Sequence, residues 1–121
     1  MPRFFILYHE TPPGDQRPAH WDFMLETVDV LRTWALAEVP RVGGAIDAAA
    51  LGDHRLAYLD YEGPLSQDRG RVTRWDGGQY DLERSGEGEL RVHLRGAKLQ
   101  CRATLTRAAD TAADWRCVLG D

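Results

Sequence analysis

The sequence predicts a mostly β protein: a single compact antiparallel β-barrel over residues 1–121, with at most one or two short helices. Three observations support this. Apolar and polar residues alternate with period two along most of the chain. Gly- and Pro-containing turn signals recur at short intervals, and no segment of ten or more residues carries a helical period. The length is that of one ordinary domain and leaves no room for two.

In Arg3–His9 the alternation places Phe5, Leu7 and His9 on one face and Phe4, Ile6 and Tyr8 on the other. Residues 10–18 hold three prolines and a glycine, which excludes regular structure. In the next strand, residues 19–26, His20, Asp22, Met24 and Glu26 share one face while Trp21, Phe23 and Leu25 share the other. Leu31–Ala37 is a third strand. The alanine-rich stretch within Pro40–Gly52 is expected to form a short helix ended at Gly52. Asp53–Gly63 leads into a turn at Gly63-Pro64. Further strands are expected at Gly70–Trp75, Gln79–Glu83, Glu89–Leu94, Cys101–Arg107 and Trp115–Leu119, with Asp76-Gly77-Gly78 as a hairpin turn between the first two. Trp34, Trp75 and Trp115 read as core or barrel wall, and His93 as structural.

An apolar fraction of 43% with 28% charged residues describes a globular chain and excludes a disordered one. No apolar run is long enough to span a bilayer, and the first residues lack the apolar stretch of a signal peptide, so a cytoplasmic location without membrane contact is expected. Cys101 and Cys117 fit neither a zinc-ribbon spacing nor a disulfide framework and read as reduced core thiols. The net charge of −4 argues against a protein that coats nucleic acid by electrostatics alone. Fourteen of the fifteen basic side chains are arginine, the residue suited to bidentate phosphate contact.

The residues with chemical potential cluster near the start. His20 and Asp22 lie side by side on one strand face, about 7 Å apart at Cα. His9, at the end of the preceding strand, joins them if the two strands pair. Two imidazoles and a carboxylate leave coordination positions open, as a catalytic metal requires, and suit zinc or manganese alike. The bland alternative is a solvated polar face, against which Met24 speaks: an apolar residue there fits the wall of a pocket at a barrel mouth.

His20-Trp21-Asp22-Phe23-Met24-Leu25-Glu26 resembles the H-Y-D-F-R-L-E signature of the 3′-phosphoesterase domain of bacterial DNA ligase D. Leu31–Leu36 is similar to that family's L-K-S-W-A-V, and Asp53–Gly63 to its D-H-P-L-x-Y-x-D-F-E-G. Arg71–Asp76 matches a strand ending in W-D, and Leu90–Leu99 a segment L-x-F-x-L-x-G-x-x-L. The resemblance implies a compact β-barrel that removes a 3′-phosphate or a 3′-terminal ribonucleoside from nucleic-acid ends. It implies manganese, with zinc as the alternative, held by His9, His20 and Asp22. His54 matches a histidine that contacts the scissile phosphate, and Tyr58 a tyrosine important for activity.

Departures accompany the matches. Met24 stands where the family has a phosphate-clamping arginine, and a second family arginine falls at Ile46. Arg17 and Arg55 are the candidate substitutes for phosphate contact. The loop between His9 and His20 is longer than usual, and Ser66–Arg69 replace a longer glycine-rich excursion. The sequence contains no ligase or polymerase module, so its expected partners are nucleic-acid 3′ ends and a DNA-repair ligase or polymerase. The expected function is metal-dependent 3′-end processing for repair. The alternatives are a weak or inactive metal-containing module that binds ends or a partner protein, and an esterase of small phosphoesters.

Overall fold

A computed structural model describes residues 2–15, 17–54, 62–65, 70–108 and 113–120, which form nine β-strands and, among the described residues, no helix. These are β1 (Arg3–Glu10), β2 (His20–Glu26), β3 (Leu31–Leu36), β4 (Gly43–Ala50), β5 (Gly63–Pro64), β6 (Arg71–Gly86), β7 (Glu89–Gly96), β8 (Arg102–Arg107) and β9 (Asp114–Leu119). The sheet runs β1-β2-β3-β4-β9-β8-β7-β6, and antiparallel pairing of β6 with β1 closes it into an eight-stranded barrel, as expected. The two-residue β5 lies outside the closure, against the start of β6.

The interior is filled from all eight barrel strands: Phe4 and Ile6, Phe23 and Leu25, Trp34 and Leu36, Ile46 and Ala48, Tyr80, Leu90 with Val92 and Leu94, Ala103 and Leu105, and Trp115 with Cys117 and Leu119. Trp34 meets Trp115 edge-on at 5.7 Å, and Phe4 meets Phe23 at 6.2 Å. This is a packed core and not a channel. The opposite face of β1 and β2 is not solvated either. Phe5, Leu7 and Met24 join Leu31 and Val72 in a second buried cluster on the outer wall, with Leu65 against it. Strands buried on both faces read as near-continuous apolar runs, which explains Phe-Phe-Ile-Leu in β1.

Three local expectations are corrected. The alanine-rich stretch is strand β4, not a helix. It alone links β3 to β9 in the closed sheet, and Ile46 and Ala48 point inward against Cys117 and Trp115. Alanine's helical preference is worth only a few tenths of a kcal/mol per residue over most others, less than the ladder bonds and burial gained by closing the barrel. Asp76-Gly77-Gly78 is not a turn: β6 runs through it for sixteen residues. The glycines serve close approach. A Cβ on Gly77 would lie 2.0 Å from the Phe5 ring, and one on Gly78 would lie 2.1 Å from the Arg95 carbonyl oxygen. At this point β6 carries β1 on one edge and β7 on the other, beside a bulge that places Trp75 between the pairs Ile6–Asp76 and Leu7–Arg74. Gly63-Pro64, expected as a turn, is instead β5.

The bulge turns Asp76 into the wall, where it is buried. Its Oδ1 accepts the backbone N–H groups of Ala97 (2.9 Å) and Lys98 (3.1 Å), and its Oδ2 that of Leu99 (2.8 Å). One carboxylate thus satisfies three consecutive N–H groups of the β7–β8 connection. Asp76→Ala is expected to destabilise the fold by about 2–4 kcal/mol in chemical denaturation, because three donors lose their acceptor. Burial, with the neighbouring Cys101 thiol adding to it, pushes the Cys117 thiol up to about 12. Cys117 is therefore expected not to react with a disulfide reagent at pH 8 in the native protein and to react after unfolding in guanidinium.

Candidate metal centre

Antiparallel pairing of β1 with β2 places His9 directly opposite His20 and Leu7 opposite Asp22. Two strand ends separated by a proline-rich loop thereby bring three ligating groups together. The donor atoms of His9, His20 and Asp22 all lie within 4.8 Å of one another. His20 and Asp22 are buried and His9 is half-buried. The group stands on the outer wall and not at the barrel mouth, because His9, His20 and Asp22 share strand parity with Phe5, Leu7 and Met24.

Hydrogen bonding fixes the rings. The Nδ1–H of His20 donates to the Pro18 carbonyl at 2.9 Å, so in the neutral ring Nε2 carries the lone pair. That nitrogen lies 3.2 Å from His9 Nδ1 and 2.9 Å from Asp22 Oδ1. Asp22 Oδ2 is 3.5 Å from His9 Nδ1. Although Asp22 Oδ1 is that close to His20, the approach lacks hydrogen-bond geometry, and among the described residues this buried oxygen has no hydrogen-bond partner. The His20 Nε2 lone pair, which accepts from His9 Nδ1–H when no ion is bound, and the two Asp22 oxygens form a donor set that fits a divalent cation, and two imidazoles plus a carboxylate suit manganese or zinc. Burial by itself would raise the Asp22 carboxyl. The His20 and His9 rings outweigh it and hold Asp22 below the usual carboxylate value.

His9, His20 and Asp22 line a cleft of about 250 Å³. Its apolar surface comes from Leu7, Met24, Leu51, Leu65 and Val72, and its polar rim from Thr11, Asp15 and Arg17. His54 lines the same cleft. A two-way backbone bridge with Leu31 (2.8 and 2.9 Å) pins it there, and its Nδ1–H donates to the Gly52 carbonyl at 2.9 Å. Thus His9, Arg17, His20 and Asp22, from one strand–loop–strand unit, meet His54, more than thirty positions further on, in one place. Arg17 is exposed, with its loop shaped by a 2.9 Å bond from its own N–H to Asp15 Oδ1.

Ile46 does not belong here. It is fully buried in the barrel interior, on the opposite face from the ligands, so no side chain at that position reaches the cleft in this register. Met24 does belong, as a buried part of the cleft wall. Arg55, Tyr58 and Ser66–Arg69 lie outside the described residues. His93 on β7 pairs across strands with Asp81 and Arg102 and does not line the cleft. The orienting carbonyls of Pro18 and Gly52 escape sequence reasoning, although both sit two residues before a histidine and share one geometry.

A family described as the DNA ligase D 3′-phosphoesterase domain matches residues 13–107. The chain belongs to this family. Among its relatives, the multifunctional non-homologous end joining protein LigD of Mycobacterium bovis is 33% identical over 100 residues, 75% of this chain and 13% of its own length. The multifunctional non-homologous end joining DNA repair protein LigD of Mycobacterium tuberculosis gives the same values. LigD of Pseudomonas aeruginosa is 36% identical over 112 residues, covering 84% of this chain and 13% of the relative. The chain therefore spans about an eighth of the length of these LigD proteins.

A ligand set of this kind makes metal binding measurable. Titration with Mn²⁺ or Zn²⁺ is expected to raise the thermal midpoint, with about 2.7 kcal/mol of stabilisation at a hundredfold excess over Kd. Asp22→Ala is expected to weaken binding by at least about a hundredfold in calorimetric titration, since even outer-shell changes cost 10- to 100-fold.

Proposed function

We propose that this protein is a divalent-metal-dependent phosphoesterase that processes nucleic-acid 3′ ends for repair, removing a 3′-phosphate or a 3′-terminal ribonucleoside. The observation that carries the reading is the meeting of His9, His20 and Asp22 with His54 in one cleft, in a chain of the ligase D 3′-phosphoesterase family. The relatives' end-joining role supports the same class of substrate.

His9, His20 and Asp22 would hold a divalent cation, manganese by preference and zinc as the alternative, which would supply Lewis-acid polarisation of a phosphate oxygen. The rest is work for side chains. The Pro18 carbonyl holds His20 in the tautomer whose Nε2 is a ligand. Leu7, Met24, Leu65 and Val72 exclude water and keep the local dielectric low, which strengthens each polar contact with the phosphate. His54, with Nδ1–H committed to Gly52, uses Nε2 to protonate a phosphate oxygen or the leaving-group oxygen. Arg17 at the rim supplies a cation toward the phosphate. Tyr58 is assigned a supporting role by family match alone, and Arg55, next to His54 in the sequence, is a candidate phosphate contact. Met24 contributes no charge, so turnover is expected to be about a hundredfold slower than in arginine-bearing relatives.

Met24 also favours a second reading, a metal-containing module that binds ends without cleaving them. One experiment separates the two. Mn²⁺-loaded protein is given a 3′-phosphate primer-template and a 3′-ribonucleotide primer-template, alongside His20→Ala and His54→Ala. Conversion to a 3′-OH end, lost in His20→Ala and reduced at least about a hundredfold in His54→Ala, supports the enzyme. Binding of metal and primer-template with no conversion supports the module.

A further inference from the structure

We infer that Arg74 is a substrate-binding residue that grips an internucleotide phosphate next to the one attacked, and so makes the cleft selective for a polynucleotide end over a mononucleotide. The inference rests on the end-processing reading above. It starts from register: Arg74 on β6 is the cross-strand partner of Leu7, and Leu7 is in turn the partner of Asp22. Arg74, Leu7 and Asp22 therefore form one row across the outer wall, and Arg74 lies two residues from Val72 of the cleft. Two strand spacings separate Arg74 from Asp22, roughly 10 Å at Cα. That is too far to grip a phosphate at the ligand cluster and leaves a neighbouring phosphate on the same strand.

The side chain is already oriented. Its guanidinium carbon sits 4.4 Å over the Phe5 ring. Phe5 can lie against β6 only because residue 77 is glycine, since a Cβ there would be 2.0 Å from the ring. A stacked guanidinium keeps its N–H donors around the rim for a phosphate. Phe5 is also the direct cross-strand partner of Met24, so this cation stands beside the position where the family's clamping arginine is missing.

Half of the described arginines carry an ion pair, and Arg74 is in the other half. Arg3, Arg41, Arg84, Arg95, Arg102 and Arg107 each have a carboxylate within 4 Å. Among the described residues no carboxylate pairs with the Arg74 guanidinium. The nearby Glu62 carboxylate accepts instead from the Arg74 backbone N–H at 2.8 Å. Arg74 is exposed, so its positive charge faces solvent along the row that leads to the ligands.

The test compares wild type with Arg74→Met, which still covers the Phe5 ring but carries no charge, and with Arg74→Lys. The Mn²⁺-loaded proteins are assayed on a 3′-phosphate primer-template and on a nucleoside 3′-phosphate, which has no neighbouring phosphate. Arg74→Met is expected to raise KM for the primer-template about tenfold with kcat unchanged, to leave the mononucleotide unaffected, and to be partly rescued by Arg74→Lys. Fluorescence anisotropy of the same primer-template gives a readout independent of turnover: the slope of log K against log salt should fall by roughly 0.7–0.9 in Arg74→Met. Equal losses on both substrates, or an unchanged salt slope, overturn the inference. A wild type that binds the primer-template but converts nothing overturns the end-processing reading, while the salt slope still decides Arg74. A wild type that does neither overturns both.

Discussion

The site depends on the register between β1 and β2. With His9 opposite His20 and Leu7 opposite Asp22, strand alternation gives the barrel interior one side chain and the outer wall the next. A slip by one residue would send Phe4, Ile6, Phe23 and Leu25 outward and the ligands into the core. Burial of those four side chains, each worth about 1.5–3 kcal/mol, makes such a slip prohibitive. The main core therefore fixes the geometry of the candidate site from the opposite face of the same strands.

The outer wall makes that geometry productive. A polar triad on an ordinary solvated face would be screened by water and free to reorient. Here Phe5, Leu7, Met24, Leu31 and Val72 form a second apolar layer beside it. Asp22 is held with a bare oxygen and a depressed pKa, the Pro18 carbonyl turns His20, and the Gly52 carbonyl turns His54. Buried polar groups whose partners do not fully satisfy one another are costly, and a cation among them removes that cost.

Much of this was legible in the chain. Alternation gave β1, β2, β3, β7, β8 and β9 to within two residues and put His20 and Asp22 on one face; Met24 marked that face as something other than a solvent surface. The errors have physical causes. β4 is read as a helix because local propensity cannot anticipate that β3 and β9 both need a partner there. Asp76-Gly77-Gly78 is read as a turn because glycine's tolerance of tight bends and its tolerance of close approach look the same in a sequence; only the Phe5 ring and the Arg95 carbonyl tell them apart. Lateral neighbours were out of reach for a related reason. Arg74 faces Leu7 through a pairing of residues some seventy positions apart and across a bulge, and no local pattern encodes either.

The same contrast between near and distant pairings bears on the order of assembly. His9, His20 and Asp22 fall within one strand–loop–strand unit, whereas closure of the wall must join the chain start to β6. Contacts close in sequence form with a smaller loss of chain entropy than remote ones. The hairpin that carries the candidate site therefore demands far less of the unfolded chain than the closed barrel does, and the slow part of maturation falls on the long seam between β1 and β6.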